Sequence, residues 1–351
     1  MAIVAITSPV PDSLFSIPDS VTVSAEARAA SGSAVSGVTL AWASSDASVA
    51  SVNPSSGPST TIVALRAGSA TITARTGAVS ATKSIVVSQR VASLTLSSVA
   101  GDTLFSLGDT RTLGATARDS RGTTIDAAHI QWTAEPATAV AISPTTGATT
   151  TVTAVGNGTA VVTAHSGALT ATSSIAVRQR ATRVTVAPPT PTLAVGATTQ
   201  LSATPVDARG NAVTGLPSAT YVSSDSTKAR VSAAGVVTGV ASGTATITVS
   251  VQTPDGVVTA AVPVTVGFST FAEMKVEDFQ FNPVAVDIAA GGQVRWTWAG
   301  SSSHNVTSTN SGPLRSPTQV SGTYTFTFPA PGRFDFFCSI HPFMTGTVIV
   351  H

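Results

Sequence analysis

One segment near the C-terminus brings together three side chains that could hold a metal ion. It reads Cys338-Ser-Ile-His341-Pro-Phe-Met344, so a thiol, an imidazole and a thioether occur within seven residues. Cys338 is the single cysteine of the chain, which excludes an intramolecular disulfide and leaves one thiol to explain. A short segment between two strands can wrap these donors around one ion if a fourth ligand comes from elsewhere. His304, which follows a strand-like run, is the candidate for that ligand.

The chemistry of the four donors indicates which metal they would bind. One thiolate and two imidazoles with a weakly bound methionine are the pattern of type 1 (blue) copper sites, which transfer electrons. Zinc rarely binds a thioether, because its structural sites prefer four Cys or His ligands and its catalytic sites keep a position for water. The alternative is that Cys338 is a buried apolar thiol, Met344 fills the core and both histidines are incidental. The pattern favours one copper ion held by His304, Cys338, His341 and Met344.

Alternating apolar residues predict the strands that position these donors. One set precedes His304 and another leads to Cys338, namely Val294, Trp296 and Trp298 and then Phe334 and Phe336. Successive side chains of a strand point to opposite faces of a sheet, so each set is expected to face a core. Cys338 is therefore expected to point inward at the end of its strand.

The C-terminal residues, about 270 to 350, resemble a cupredoxin of the plastocyanin and amicyanin group. The matching features follow in family order: Phe281-Asn-Pro283, Ala290-Gly291, His304-Asn305-Val306, Pro331-Gly332 and the segment from Cys338 to Met344. The resemblance implies that His304, Cys338 and His341 are equatorial copper ligands and that Met344 is axial. It also implies that Asn305 supplies hydrogen bonds that tie the ligand loops together, and that electrons enter or leave at the edge of His341.

The residues beside the ligands indicate a mononuclear electron carrier rather than an enzyme. Pro342 restricts His341 to extended conformations, and its ring together with Phe343 should present an apolar electron-transfer surface. A multicopper oxidase or a copper nitrite reductase would have a histidine next to Cys338, and a binuclear centre would need a second cysteine. Neither is present in the sequence.

The rest of the chain repeats one unit with a period near 90 residues. The motif Asp12-Ser-Leu-Phe-Ser-Ile-Pro-Asp19 reappears as Asp102-Thr-Leu-Phe-Ser-Leu-Gly-Asp109, and aromatic residues recur as Trp42, Trp132 and Tyr221. Short alternating strands with Gly, Asn, Asp and Pro turns, in a unit of this size, are typical of an immunoglobulin-like sandwich. Residues 2–267 resemble the bacterial Ig-like (group 2) family.

The predicted architecture is all-β, with three tandem immunoglobulin-like β-sandwiches followed by a cupredoxin Greek-key β-sandwich. The predicted bounds are 2–89 for the first repeat, 90–179 for the second, 180–267 for the third and 268–351 for the copper domain. No cluster of catalytic residue types recurs in the repeats, which favours a spacer. His129 and His165 are interpreted as turn or surface residues. The recurring aromatic residues could form a carbohydrate platform, but their equivalent positions favour core packing.

Composition excludes several classes of partner. The 351 residues carry 18 Lys and Arg against 17 Asp and Glu, scattered singly, so nucleic acid is not an expected partner. No apolar run reaches the length needed to span a bilayer, and strand-like sequence starts just after Met1, so we expect any export signal to have been removed or replaced. An extracytoplasmic location, secreted, periplasmic or at the cell surface, is expected.

Three functions are compatible with this organisation. The first is an electron-transfer module held on an Ig-like stalk, with an unidentified redox protein as its partner. The second is a structural surface protein or filament subunit that assembles through the repeats, with copper in a secondary role. The third is copper storage or delivery, which a constrained site suits poorly because it releases metal slowly.

Overall fold

The computed structural model describes residues 3–8, 10–97 and 103–351. All regular secondary structure in this part of the chain consists of β-strands, which confirms the all-β prediction. Accordingly, the described residues include no helix of the length and apolar character required to cross a membrane. Two positions used above, Ala2 at the start of the first repeat and Asp102 in the repeated motif, lie outside the described residues.

The chain divides into two compact units, the first ending at Gln179 and the second beginning at Arg180. The strands of the first unit are β1 (Ile3–Ile6), β2 (Ser13–Leu14), β3 (Ser20–Arg28), β4 (Ala41–Ser44), β5 (Ala50–Asn53), β6 (Ser59–Ala64), β7 (Gly68–Thr76), β8 (Val79–Val87), β9 (Ser93–Leu96), β10 (Thr103–Leu104), β11 (Thr110–Arg118), β12 (Gln131–Glu135), β13 (Val140–Ser143), β14 (Thr149–Ala154), β15 (Gly158–Ser166) and β16 (Leu169–Val177).

The strands of the second unit are β17 (Arg183–Ala187), β18 (Thr192–Ala194), β19 (Thr198–Gln200), β20 (Ser202–Val206), β21 (Thr220–Ser223), β22 (Ala229–Val231), β23 (Val236–Gly239), β24 (Gly243–Thr253), β25 (Gly256–Gly267), β26 (Phe271–Glu277), β27 (Gln280–Asn282), β28 (Ala285–Ile288), β29 (Gln293–Trp298), β30 (Thr307–Ser308), β31 (Thr323–Thr327), β32 (Gly332–Cys338) and β33 (His341–Val350).

In the first unit, two pairs of four-stranded sheets enclose two hydrophobic cores. The sheets of the first pair have the strand orders β1-β3-β6-β5 and β2-β8-β7-β4, and those of the second have β13-β14-β11-β9 and β10-β16-β15-β12. Trp42 and Trp132 are buried in the two cores, and their indole N–H groups donate to Gly57 O at 3.0 Å and Gly147 O at 2.8 Å. Buried indoles with satisfied N–H groups act in packing, which rules out an exposed tryptophan platform.

A buried carboxylate links the first and second repeats. Asp119 begins a turn in the second repeat and accepts hydrogen bonds from the backbone N–H of Ile17 at 2.9 Å and the side chain of Gln89 at 2.9 Å. It also accepts from two N–H groups of its own turn, those of Arg121 and Thr123. Burial alone raises the pKa of Asp119, but these four hydrogen bonds together bring it below its usual value.

The second unit contains two further cores. Residues 183–267 form a two-stranded sheet β17-β20, a four-stranded sheet β18-β25-β24-β21 and a three-stranded sheet β19-β23-β22 around Leu201, Ile247 and Val264. Tyr221 packs at the edge of this core and is partly buried. The C-terminal residues form the sheets β27-β26-β29-β31 and β28-β33-β32-β30.

The core of the C-terminal sandwich confirms the predicted inward faces. Trp296, Phe336 and Cys338 are fully buried, and Met344 is 1% exposed in the same cluster. The ring of Trp296 meets that of Phe336 edge to face, with centroids 5.3 Å apart. The candidate donors therefore lie at the end of a closely packed core that fixes their backbone.

Candidate metal centre

Three of the four predicted donors converge on one point. Cys338 Sγ lies 3.7 Å from His304 Nδ1 and 3.7 Å from His341 Nδ1, and the two Nδ1 atoms are 3.1 Å apart. His304 and Cys338 are fully buried, while His341 is partly exposed. Among the described residues these three form the one group of His, Cys, Asp and Glu side chains with this spacing.

A tight hairpin positions Cys338 and His341. Cys338 ends β32 and His341 begins β33, so only Ser339 and Ile340 form the turn and the two donors pair across it. The sequence suggested an inter-strand loop that extends to Met344, but the structure includes His341 and Met344 in β33. The register of the ladder shifts between Phe337, which pairs with Thr345, and Cys338, which pairs with His341. Pro342, Phe343 and Met344 therefore have no partner in the ladder.

His304 comes from a different part of the sandwich. It follows β29 and pairs with Gln319 in an isolated bridge, in which each backbone N–H donates to the other carbonyl at 3.0 Å. The indole N–H of Trp298 donates to the carbonyl of His304 at 3.0 Å. The residue is therefore held by backbone contacts, which leave its imidazole free to face Cys338.

Asn305 forms hydrogen bonds that join the two donor segments. Its backbone N–H donates to Cys338 Sγ at 3.4 Å, and its side-chain oxygen accepts from the backbone N–H of Ser339 at 2.8 Å. Its amide group donates to Ser339 Oγ at 2.8 Å and to Thr318 Oγ1 at 2.9 Å. A buried amide satisfied on both sides holds the segments in one arrangement.

The predicted electron-transfer surface lies beside His341. Pro342 is exposed, and 72% of Phe343 is exposed, with its ring centroid 6.1 Å from that of His341. Met344 faces the opposite way, into the core that contains Cys338. The neighbouring side chains of Phe343 and Met344 thus point to opposite sides, the first towards solvent and the second into the core.

Two residues at the site were missed by sequence reasoning. Asp278 and Phe279 form the turn between β26 and β27, and Phe279 has a φ of 66°, which is unusual for a residue with a large side chain. The ring of Phe279 meets that of His341 edge to face, with centroids 5.0 Å apart. Asp278 Oδ1 lies 3.6 Å from His304 Nε2. The one sequence signal for this hairpin is Asp278, a residue type common in turns, between two strand-like runs. That signal does not predict a contact with His304.

The donor atoms fit a single copper ion. Bonds of about 2.0 Å to nitrogen and 2.3 Å to sulfur at one ion place ligands roughly 3 to 4 Å apart, which matches the observed spacings. The two Nδ1 atoms, 3.1 Å apart, and Cys338 Sγ could each offer a lone pair to one metal ion. The soft sulfur and the two imidazoles are the donor types that copper prefers.

Comparisons with known proteins agree with this site. Residues 180–262 match the family model of the bacterial Ig-like domain (group 2), and residues 269–351 match that of copper binding proteins of the plastocyanin/azurin family. Amicyanin-alpha of Methylorubrum extorquens is 39% identical over 84 residues, which are 22% of this chain and 70% of that protein.

Similar solved structures occur for both parts of the chain. Amicyanin from Paracoccus versutus is 31% identical and covers 23% of this chain and 80% of its own, with a TM-score of 0.22. The adhesin FdeC of Escherichia coli is 20% identical and covers 76% of this chain and 96% of its own, with a TM-score of 0.33.

The cofactor follows from the family match and the converging donors. Copper is the metal of this protein, and His304, Cys338 and His341 lie close enough together to share a single ion. Through its C-terminal residues, the chain belongs to the plastocyanin/azurin family of copper binding proteins.

Proposed function

We propose that this protein carries single electrons outside the cytoplasm and catalyses no reaction of its own. The observation that carries the proposal is the convergence of His304 Nδ1, Cys338 Sγ and His341 Nδ1 on one point at a rigid strand end. Copper bound there supplies a couple between two oxidation states that differ by one electron. His304, Cys338, His341 and Met344 would hold this copper.

The surrounding residues keep the donors in one geometry in both oxidation states. The Ser339 turn, the bridge between His304 and Gln319 and the side chain of Asn305 are closed by hydrogen bonds within the protein. Rearrangement would break several of these bonds at once. A site that changes little between oxidation states loses little energy to reorganisation, which is what rapid electron transfer requires.

We assign the surface around His341 as the route for electrons to a protein partner. The imidazole of His341 is partly exposed, whereas that of His304 is fully buried. Phe279 and Phe343, 51% and 72% exposed, flank it with apolar surface. An apolar rim can dock and release a redox protein without costly desolvation of charges.

The repeats support a role as a stalk. Each of the cores around Trp42, Trp132 and Leu201 is separate from the core that contains Cys338. We propose three Ig-like repeats, at 2–89, 90–179 and 180–267, that hold the copper domain away from a point of attachment. Domains of both kinds typically work outside the cytoplasm, which supports a secreted, periplasmic or surface location.

The test is to add copper(II) to the purified protein and to record its visible spectrum and voltammogram. We expect one copper per chain, strong absorption from charge transfer between thiolate and copper, and a reversible one-electron wave. Binding of copper without this absorption, or an irreversible wave, would contradict the proposal.

The junction between the first two repeats favours a second candidate, a structural surface protein or filament subunit. The contacts of Asp119 with Ile17 and Gln89 would make this junction stiff. Electron microscopy of the purified chain distinguishes the candidates. Ordered fibres that disappear when the repeats are deleted would support the structural function, and dispersed single particles would support the electron carrier.

A further inference from the structure

The inner imidazole of the site has one nitrogen without a hydrogen-bond partner. His304 directs Nδ1 towards Cys338 and His341. With copper bound at Nδ1, the neutral ring carries its proton on Nε2. That Nε2 atom is fully buried and has no hydrogen-bond partner among the described residues. A buried donor without an acceptor is costly, and histidines that bind metals almost always donate this proton to a neighbouring group.

A carboxylate is held beside this nitrogen. Asp278 Oδ1 lies 3.6 Å from His304 Nε2, slightly beyond hydrogen-bond length. The carboxylate accepts from the backbone N–H of Ser302 at 2.8 Å, from that of Ser301 at 3.0 Å and from Ser301 Oγ at 2.9 Å. These hydrogen bonds fix the carboxylate in position next to His304.

The chain makes room for this carboxylate at Gly300. A Cβ atom on Gly300 would lie 2.4 Å from Asp278 Oδ1 and 2.8 Å from its backbone nitrogen, which is too close for any side chain. The turn itself is strained, because Phe279 adopts a positive φ. Gly300 and the strained turn at Phe279 lie at the same contact. Together they indicate that the fold holds Asp278 close to the loop that contains His304.

We propose that Asp278 is a positioning residue that accepts the Nε2–H of His304 and tunes the copper site through it. This inference rests on the proposed electron-transfer function. The carboxylate fixes which nitrogen of His304 faces the metal and makes the imidazole a stronger electron donor. A stronger donor stabilises the more highly charged oxidation state, so Asp278 lowers the reduction potential of the bound copper.

The decisive variant is Asp278→Asn in the full-length copper protein. An asparagine oxygen can still accept from Ser301 and Ser302, so the loop is kept while the charge is lost. We expect the blue absorption to remain, the reduction potential to rise, and the Nε2–H proton of His304 in the diamagnetic copper(I) form to shift upfield in NMR spectra. The tuning role predicts the last two changes together, whereas a purely structural role predicts neither.

Two further variants separate the effect of the contact from that of net charge. Glu273→Gln removes a charge from β26, the strand that precedes the turn of Asp278, but its partners are Arg295 and Thr297. We expect it to leave the potential and the His304 proton unchanged. Gly300→Ala keeps the charge and displaces the carboxylate, so it should change both readouts in the same direction as Asp278→Asn.

Equal shifts of the potential in Asp278→Asn and Glu273→Gln would overturn the inference, because net charge alone would then account for them. An unchanged Nε2–H signal in Asp278→Asn would overturn it as well. These outcomes are distinct from failure of the proposed function, which would appear as absence of the blue absorption in the unmodified protein.

Discussion

The Ig-like repeats and the copper domain are both built of β-strands, but they differ in how their buried polar groups are satisfied. In the second repeat, the carboxylate of Asp119 is buried and is satisfied by four hydrogen bonds, two of them from its own turn. In the copper domain, His304 and Cys338 are buried, and Cys338 Sγ faces the Nδ1 atoms of His304 and His341. The chain's own hydrogen bonds satisfy the buried carboxylate of the repeat, whereas the donor atoms of the copper domain face one another and can bind a metal ion.

Cys338→Ser should produce the largest difference between the two regions. A hydroxyl is a poor ligand for copper compared with a thiolate, so we expect complete loss of the blue absorption and of the redox wave. The repeats share no ligand with the site and should remain folded. Visible spectroscopy and thermal unfolding of the same sample measure both effects. Strong blue absorption in this variant would show that Cys338 is not the ligand.

Two matched tryptophan substitutions compare the cores. Trp132→Ala and Trp296→Ala each remove a buried indole and should each lower the free energy of unfolding of their own domain by about 3–5 kcal/mol. Trp132→Ala should leave the copper spectrum and potential unchanged, while Trp296→Ala should weaken copper retention. Denaturant unfolding followed by circular dichroism and by the blue absorption separates the two. A changed copper spectrum in Trp132→Ala would contradict the separation of the cores.

Asp119→Ala should have a smaller effect, confined to the first unit. It leaves the N–H of Ile17 and those of the turn without their acceptor, at a cost of about 1–3 kcal/mol. Since the pKa of Asp119 is lowered in the folded state, its contribution is present above about pH 4, the usual range of an aspartate, and is lost as the pH falls through the lower folded value.

Acid titrations of stability check this prediction. The unmodified protein should lose stability in the first unit below about pH 4, and Asp119→Ala should flatten that part of the curve. Asp126→Ala, an exposed aspartate of the same repeat, is the control and should change stability by less than about 0.5 kcal/mol. Identical curves for the Asp119 variant and the unmodified protein would show that this carboxylate does not stabilise the junction.

The smallest effect is expected when the repeats are removed altogether. All four proposed ligands lie within residues 268–351, so this fragment should bind one copper with the spectrum and potential of the full chain. Copper stoichiometry, absorption and voltammetry in one buffer make the comparison. A folded fragment that lacks copper, or that differs clearly in spectrum, would show that the repeats complete the site and would remove the distinction between the regions.

Much of the fold and of the metal site could be predicted from local patterns. Alternation identified the inward faces that contain Trp296, Phe336 and Cys338, because a strand repeats every two residues. Donor chemistry identified copper, because a thiolate, two imidazoles and a thioether suit few other metals. The tight hairpin was not predicted in detail, since the spacing of Cys338 and His341 is compatible with a loop as well as with a two-residue turn.

The sequence by itself determined the all-β class, the repeating unit and copper as the metal, because each depends on residue types at short or regular spacing. Only the tertiary structure showed that the turn at Asp278 and Phe279 meets the loop of His304, that Gly300 admits the carboxylate, and that Asp119 reaches Ile17 in the preceding repeat. These contacts join segments far apart in the chain. Local periodicity specifies which face of a strand is buried, but the packing of one sheet against another decides which turns come together.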